Sequence, residues 1–422
     1  VSGVSVKEIV NQALKRGMQV SPEVIKFIEN NPDYASKALH AIMHKRKDDG
    51  VFLTLKDIIT NNSVNFENNK VTFSVSGGRS FSDGLLLLQP EEISLMLADR
   101  LNRLKSLWST RPEKINFVSL QFIIRQFKGY RWTFALIMKK TDNSLLLDDG
   151  RSTVPLKVSE RKILNEAVLG SAAAFKIKYN EEPIIEEMSD IDVPEIHDMK
   201  KNAGRVAIIS GLNEGSIDND ELFKKLQTEK IDGIIILGNS IDRNALLDKG
   251  LLPVYGYTKL AKHLEQLPKN LFKIVIPGDN DETNVGLPQK PIGFKLIKDA
   301  YKISNFRSLG NPSEIRLNDL LVLLYNGQGL SCYSGFDEEY AIKKILKTRH
   351  LSPTLGIVPI AISNKDKLII ENRPDVFLIS NVKEPHDIMY RGLWAVAVPP
   401  FNINKCYGIL DFEQGQAEWV YT

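Results

Sequence analysis

The sequence predicts a multidomain α+β protein, and three changes in hydrophobic pattern along the chain predict it. Apolar residues recur at helical spacing before residue 60, gather into longer strand-like runs between 115 and 188, and form short continuous runs from 205 onward. The first pattern gives an N-terminal helical domain, the second a β-barrel, and the third the buried parallel strands of an α/β sandwich. The expected division is 1–60 helical, 61–89 a flexible linker, 90–190 a helix plus the barrel, and 191–422 the sandwich.

Bulk properties narrow the class only a little. A chain of 422 residues has room for several cores, and 55 basic against 52 acidic residues leaves a net charge of +3. That balance neither demands nor excludes nucleic acid. Two cysteines, Cys332 and Cys406, are too few for a disulfide framework or a four-thiolate zinc site, which favours a reducing interior. No apolar run approaches the ~20 residues needed to span a bilayer. The expectation is a cytoplasmic protein.

Taken in order, Val6, Ile9, Val10, Ala13 and Leu14 mark a first helix, and Ser21, Pro22 and Glu23 open a second that carries Val24, Ile25, Phe27 and Ile28. His40 and His44 lie four apart without a third ligand, so a solvated role is expected. Asn, Ser and Gly then dominate from 60 to 84, the composition of a tether. A helix over 90–108 begins with Glu91 and Glu92 and presents a leucine face.

Strands are expected over 117–124 and 131–137, then at 145–147 and 154–158 around the turn at Asp149 and Gly150. A helix at 160–169 and strands at 173–179 and 184–187 complete the order of an OB-fold barrel. Arg125, Lys128, Tyr130, Arg131 and Trp132 cluster at one hairpin and are candidate nucleic-acid contacts, although strand aromatics also serve as core. Residues 181–202 are acidic and Pro-interrupted, as in a linker.

Three apolar strands beyond residue 205 empty into small polar turns: Gly211, Leu212 and Asn213; Gly238 and Asn239; Gly278, Asp279, Asn280 and Asp281. Two more end at Asn326, Gly327 and Gln328, and at Ser380, Asn381, Val382 and Lys383. This spacing resembles the calcineurin-like metallophosphoesterases, whose turns read Asp-x-His, Gly-Asp-x-x-Asp, Gly-Asn-His-Asp, His-Gly-Arg and Gly-His-x-His and hold two metal ions. The resemblance implies ligand or phosphate-handling positions at Gly211, Asn213, Asn239, Asp279, Asn280, Asn326, Asn381 and Lys383. Nearly all lack a carboxylate or imidazole, and an ammonium at Lys383 repels dications. The expectation is no catalytic residue, no metal and no cofactor.

A narrower resemblance rests on the segment 277–289, on Arg349, His350, Leu351, Ser352 and Pro353, on 358–361, and on Arg373, Pro374, Asp375 and Val376. These residues resemble the small subunit of the archaeal family D DNA polymerase. The resemblance implies the same domain order, a heterodimer with a large catalytic subunit, DNA contact through the assembled complex, no membrane, and a cytoplasmic, nucleoid-associated setting. Intact members carry a 3′–5′ exonuclease, whereas the related small subunits of eukaryotic replicative polymerases keep the fold without the ligands. The expected function is a non-catalytic accessory subunit. Two alternatives stand beside it: an active phosphodiesterase with a site rearranged around Asp242, Asp279, Asp281 and His386, and a single-strand-binding protein acting through the barrel.

Overall fold

The computed structural model describes residues 6–16, 18–30, 90–125, 128–197 and 204–422, with shorter stretches between 35 and 75. His40 and His44 lie outside the described residues. Helices Val6–Lys15 and Pro22–Asn30 open the chain, burying Ile9 and Ala13 from the first and Val24, Phe27 and Ile28 from the second. They share a core with the sandwich, Phe27 meeting Tyr301 edge-on at 6.3 Å between centroids.

The stretch expected to be a flexible linker is partly paired backbone. Strands Asn65–Glu67 and Thr72–Val75 form an antiparallel hairpin, and the second pairs with Ser313–Leu317, so Val75 lies opposite Ile315. Its Asn- and Gly-rich flanks hid the strand signal, and a sheet edge with unpaired N–H and C=O groups supplied the partner.

Five strands close a barrel in the order Gly129–Lys140, Ser144–Asp148, Thr153–Val158, Pro183–Ser189 and Ala172–Tyr179. Ala135, Ile137, Leu145, Leu147, Phe175 and Ile177 fill it. The strand expected over 117–124 is corrected: Phe117 makes only an isolated bridge to Trp132, and Leu120–Ile123 is a short helix. Ser119 caps that helix by accepting from Phe122 N at 3.2 Å, and the i, i+3 spacing drops Leu120 and Ile123 into the barrel interior. The acidic stretch expected as a linker begins inside the barrel as Pro183–Ser189, and Asp192 then accepts from Tyr390 Oη and Arg391.

Helix Pro90–Ser109 lies on the barrel's outer side, with Leu101, Leu104 and Trp108 packed on Phe134 and Leu136.

The sandwich has two sheets. In the first the order is Phe306–Ser308, Phe272–Ile276, Gly233–Leu237, Arg205–Ile209, Cys406–Asp411 and Gln416–Tyr421, the first four strands parallel. The second runs His386–Tyr390, Leu393–Val398, Val376–Ser380, Leu320–Tyr325, Ser313–Leu317, then the early hairpin. Central strands such as Gly233–Leu237, Leu320–Tyr325 and Val376–Ser380 are buried at every position, which is why they read as unbroken apolar runs. The central parallel strands deliver their carboxyl-end turns to one end of the sandwich.

Candidate functional site at the strand ends

Four of the five turns bend sharply where their strands end. Gly211, Asn213, Gly238, Asn239, Gly327 and Asn381 all have positive φ, a conformation that glycine and asparagine adopt most readily. The first two turns run side by side: Gly211 N donates to Gly238 O, Asn213 N to Asn239 O and Glu214 N to Ser240 O, each at 3.0 Å.

Amides then tie the remaining turns together. Asn381 Nδ2 donates to Asn326 Oδ1 at 3.1 Å, and Asn326 Nδ2 donates to Leu237 O at 3.1 Å. Ser380 Oγ lies 2.8 Å from both Leu237 O and Asn326 O. Asn311 Nδ2 donates to Gln289 Oε1 at 2.8 Å, and Gln289 Nε2 donates to Gly278 O at 3.1 Å. Asn239 Oδ1 accepts from Asn280 N at 3.0 Å, and Gln328 Nε2 donates to Asp279 Oδ1. A carboxamide both donates and accepts without charge, so a few such side chains link the turns to one another directly.

Gly211 fits the same picture. A Cβ there would stand 2.9 Å from both Asn402 Oδ1 and Pro400 Cβ. The residues 400–402 therefore occupy the volume that a ligand side chain at this position would need, and Phe401 N and Asn402 N hold them there through Ser210 O and Gly211 O.

Asp281 is buried and acts as a staple. Its carboxylate accepts from Ser240 N at 3.1 Å, Gly278 N at 2.9 Å and Tyr257 Oη at 3.2 Å, binding the second turn to the third. Burial raises its pKa to about 6 despite those donors. Asp242 caps helix Arg243–Asp248 by accepting from Ala245 N at 3.0 Å. His386 Nε2 lies 3.2 Å from Glu338 Oε2, and Lys383 N donates to the same carboxylate. The four residues of the rearranged-site alternative are thus each engaged with a different partner. Among the described residues no group of three or more His, Cys, Asp or Glu side chains is placed to hold a metal ion.

A second polar cluster lies beneath the first turn. His263, on helix Pro253–Gln266, places Nδ1 2.7 Å from Glu214 Oε1 and Nε2 2.8 Å from Asp220 Oδ1, with its ring stacked on Phe223 at 4.6 Å. Asn219 Nδ2 donates to Glu214 Oε1 at 2.9 Å, and Lys259 Nζ stands 3.2 Å from Glu214 Oε2. Sequence pattern offered no sign of this cluster, because its members come from a loop, a helix start and a distant helix.

Of the hairpin residues, Tyr130 and Trp132 share the barrel's outer face and Arg131 alternates to the other, while Lys128 and Arg125 are exposed before the strand.

Two sheets packed face to face, with polar turns gathered at the ends of parallel strands, define a mixed α/β protein. A solved structure described as a novel archaeal phosphodiesterase aligns over 52% of this chain and 99% of its own, at 14% identity and a TM-score of 0.31. The sequence model for the B subunits of DNA polymerases alpha and epsilon matches residues 206–388. The "DNA polymerase II small subunit" of Pyrococcus furiosus is 27% identical over 51% of this chain and 37% of its own length, and that of Archaeoglobus fulgidus is 30% identical over 40% and 37%. Over this part the chain is similar to the small subunits of DNA polymerases. It matches little more than a third of the length of these two relatives. Among the described residues no helix is long and apolar enough to cross a membrane.

Proposed function

We propose that the chain is a non-catalytic scaffold subunit of an archaeal D-family replicative DNA polymerase, binding and stabilising a large catalytic subunit, with the family's 3′–5′ exonuclease site lost. The observation that carries this is the closure of the strand-end turns by neutral amides and by residues 400–402 packed on Gly211. A two-metal hydrolase needs carboxylates and imidazoles converging on a bridging hydroxide. Here Gly, Asn and Lys stand at all those positions but Asp279, which accepts from Gln328, and the nearby acids Asp242 and Asp281 are spent as a helix cap and a turn staple.

The closed barrel, with a helix between its third and fourth strands in chain order, is read as an OB fold, and residues 90–190 and 191–422 as its barrel and phosphoesterase-like units. Arg100 binds the two together through Asp366, which suits a part whose surface must be gripped without deforming. DNA is reached through the assembled complex, in a nucleoid-associated setting.

Two measurements test this. Affinity isolation of the chain from its own cells is expected to bring down a much larger polymerase polypeptide in stoichiometric amount; a clean monomer would sink the proposal. Incubation of purified chain with a labelled single strand and Mn²⁺ is expected to give no shortening, and elemental analysis no stoichiometric metal. Cleavage that scales with the chain and vanishes on chelation would restore the phosphodiesterase alternative.

A further inference from the structure

The outer side of the barrel carries a strip of aromatic rings, each with a cation over it. Arg111 lies 4.3 Å from the centroid of Trp108, Lys105 Nζ 5.7 Å from that of Phe117, and Lys176 and Lys178 Nζ 5.0 and 5.6 Å from that of Tyr130. The pairs are contiguous. Trp108 meets Phe117 at 6.0 Å, Phe117 bridges Trp132, and on the adjoining strand Trp132 lies opposite Lys176 and Tyr130 opposite Lys178. Because side chains alternate along a strand, Tyr130, Trp132, Lys176 and Lys178 all face outward. Lys128 is exposed at the same end.

Carboxylates neutralise only part of this charge. Glu113 pairs with Arg111 at 3.4 Å, Glu187 with Lys176 at 3.7 Å and Glu186 with Lys178 at 3.2 Å, which leaves Lys105 and Lys128 in excess. A cation fixed over a ring is pre-positioned, so an anion meeting it costs less side-chain ordering. Tyr130 stays 46% exposed, which leaves ring surface for an unpaired base.

We propose that this strip binds the phosphate backbone of a single-stranded nucleic acid, with the cations of Lys105, Arg111, Lys128, Lys176 and Lys178 on phosphates and Tyr130 against a base. The site lies on the outer face of the first and fourth barrel strands in chain order, and its assignment is independent of the scaffold reading and of any large subunit.

The test is fluorescence anisotropy of a labelled oligothymidine with the full chain across a salt series. Binding is expected at about 50 mM salt and to weaken steeply as salt rises, since each neutralised phosphate contributes a log–log slope of about −0.7 for single strands. The triple variant Lys105→Gln, Lys128→Gln, Lys178→Gln is expected to melt as the parent does and to lose about 2 units of that slope. Tyr130→Ala is expected to weaken binding roughly tenfold with the slope unchanged. No binding at low salt, or binding untouched by the triple variant, overturns the proposal. Displacement of the oligonucleotide by poly-glutamate at equal charge also overturns it, in favour of an acidic protein partner.

Discussion

Arg100, on the helix that rides the barrel, reaches Asp366 in the sandwich with Nε 2.6 Å from Oδ2, and both side chains are sealed from water. The same guanidinium donates through Nη1 to Gly170 O at 2.8 Å and Pro353 O at 2.6 Å. His350 Nε2 stands 2.9 Å from the same Asp366 oxygen, while its Nδ1 accepts from Ser352 N at 3.1 Å, which fixes the tautomer. Though buried, Asp366 has a pKa far below the usual carboxylate range because His350 and Arg100 favour its charged form. The segment from Arg349 to Pro353, the most specific piece of the sequence resemblance, is therefore where the barrel and the sandwich lock.

Arg100→Met is expected to destabilise the chain by about 3–5 kcal/mol, because it strips a buried carboxylate of its main partner. Arg100→Lys is expected to rescue little, since a single ammonium nitrogen cannot stand at both the Nε and Nη1 positions from which the guanidinium donates. Urea unfolding followed by circular dichroism measures both; a shift under ~1 kcal/mol for Arg100→Met would show that the lock is not structural.

His263 makes stability depend on pH. Burial alone would lower its pKa, but Glu214 and Asp220 outweigh that, with Lys259 opposing, and the folded value lies above the ordinary 6.5. A raised folded value means the native state holds the proton more tightly. The contribution is full below the unfolded value and is lost as pH rises through the folded one. The melting temperature of His263→Gln should therefore fall furthest below that of the parent at acidic pH, and the gap should narrow with rising pH. A gap that does not change with pH would refute the linkage.

Lys273 works in the opposite sense. Its ammonium is fully enclosed, donating to Leu271 O at 2.8 Å and Pro268 O at 3.1 Å, and burial lowers its pKa to about 8 from 10.5. The unfolded chain then holds the proton more tightly, so stability should rise by about 3 kcal/mol as pH climbs from 8 to 10.5. Lys273→Met is expected to remove that increment, read as the difference between parent and variant denaturation midpoints at the two pH values. Parallel midpoints would refute it.

Gly211→Asp puts a carboxylate where the phosphoesterase resemblance implies a ligand. It should nonetheless cost about 1–3 kcal/mol by overpacking, because its Cβ enters the space held by Pro400 and Asn402. Thermal melting with and without Mn²⁺ should show no metal-dependent gain. A rise of several degrees on adding metal would mean that the turn cluster reopens easily.

Much of the scaffold was legible from pattern. Buried parallel strands announce themselves as unbroken runs such as 233–237 and 320–325, because both faces are covered and no position is free to be polar. Four of the turns were legible for the complementary reason: positive φ at a strand end leaves few choices beyond Gly and Asn. The barrel's strand order was also visible, apart from 117–124, where β-branched and aromatic residues suggested a strand but the barrel interior took Leu120 and Ile123 from a helical turn.

The chemistry around the turns was another matter. Residue types alone carry the expectation that Gly211, Asn239, Asn326 and Lys383 are poor dication ligands, since charge and donor atoms belong to the side chain itself. How these segments bond to one another was decided only in three dimensions: Asn381 meeting Asn326 across 55 residues, Asp281 gathering amides from two turns, and His263 set between Glu214 and Asp220. Periodicity records which face of an element is dry, but a hydrogen bond between distant segments depends on where folding puts both ends, and no local pattern carries that.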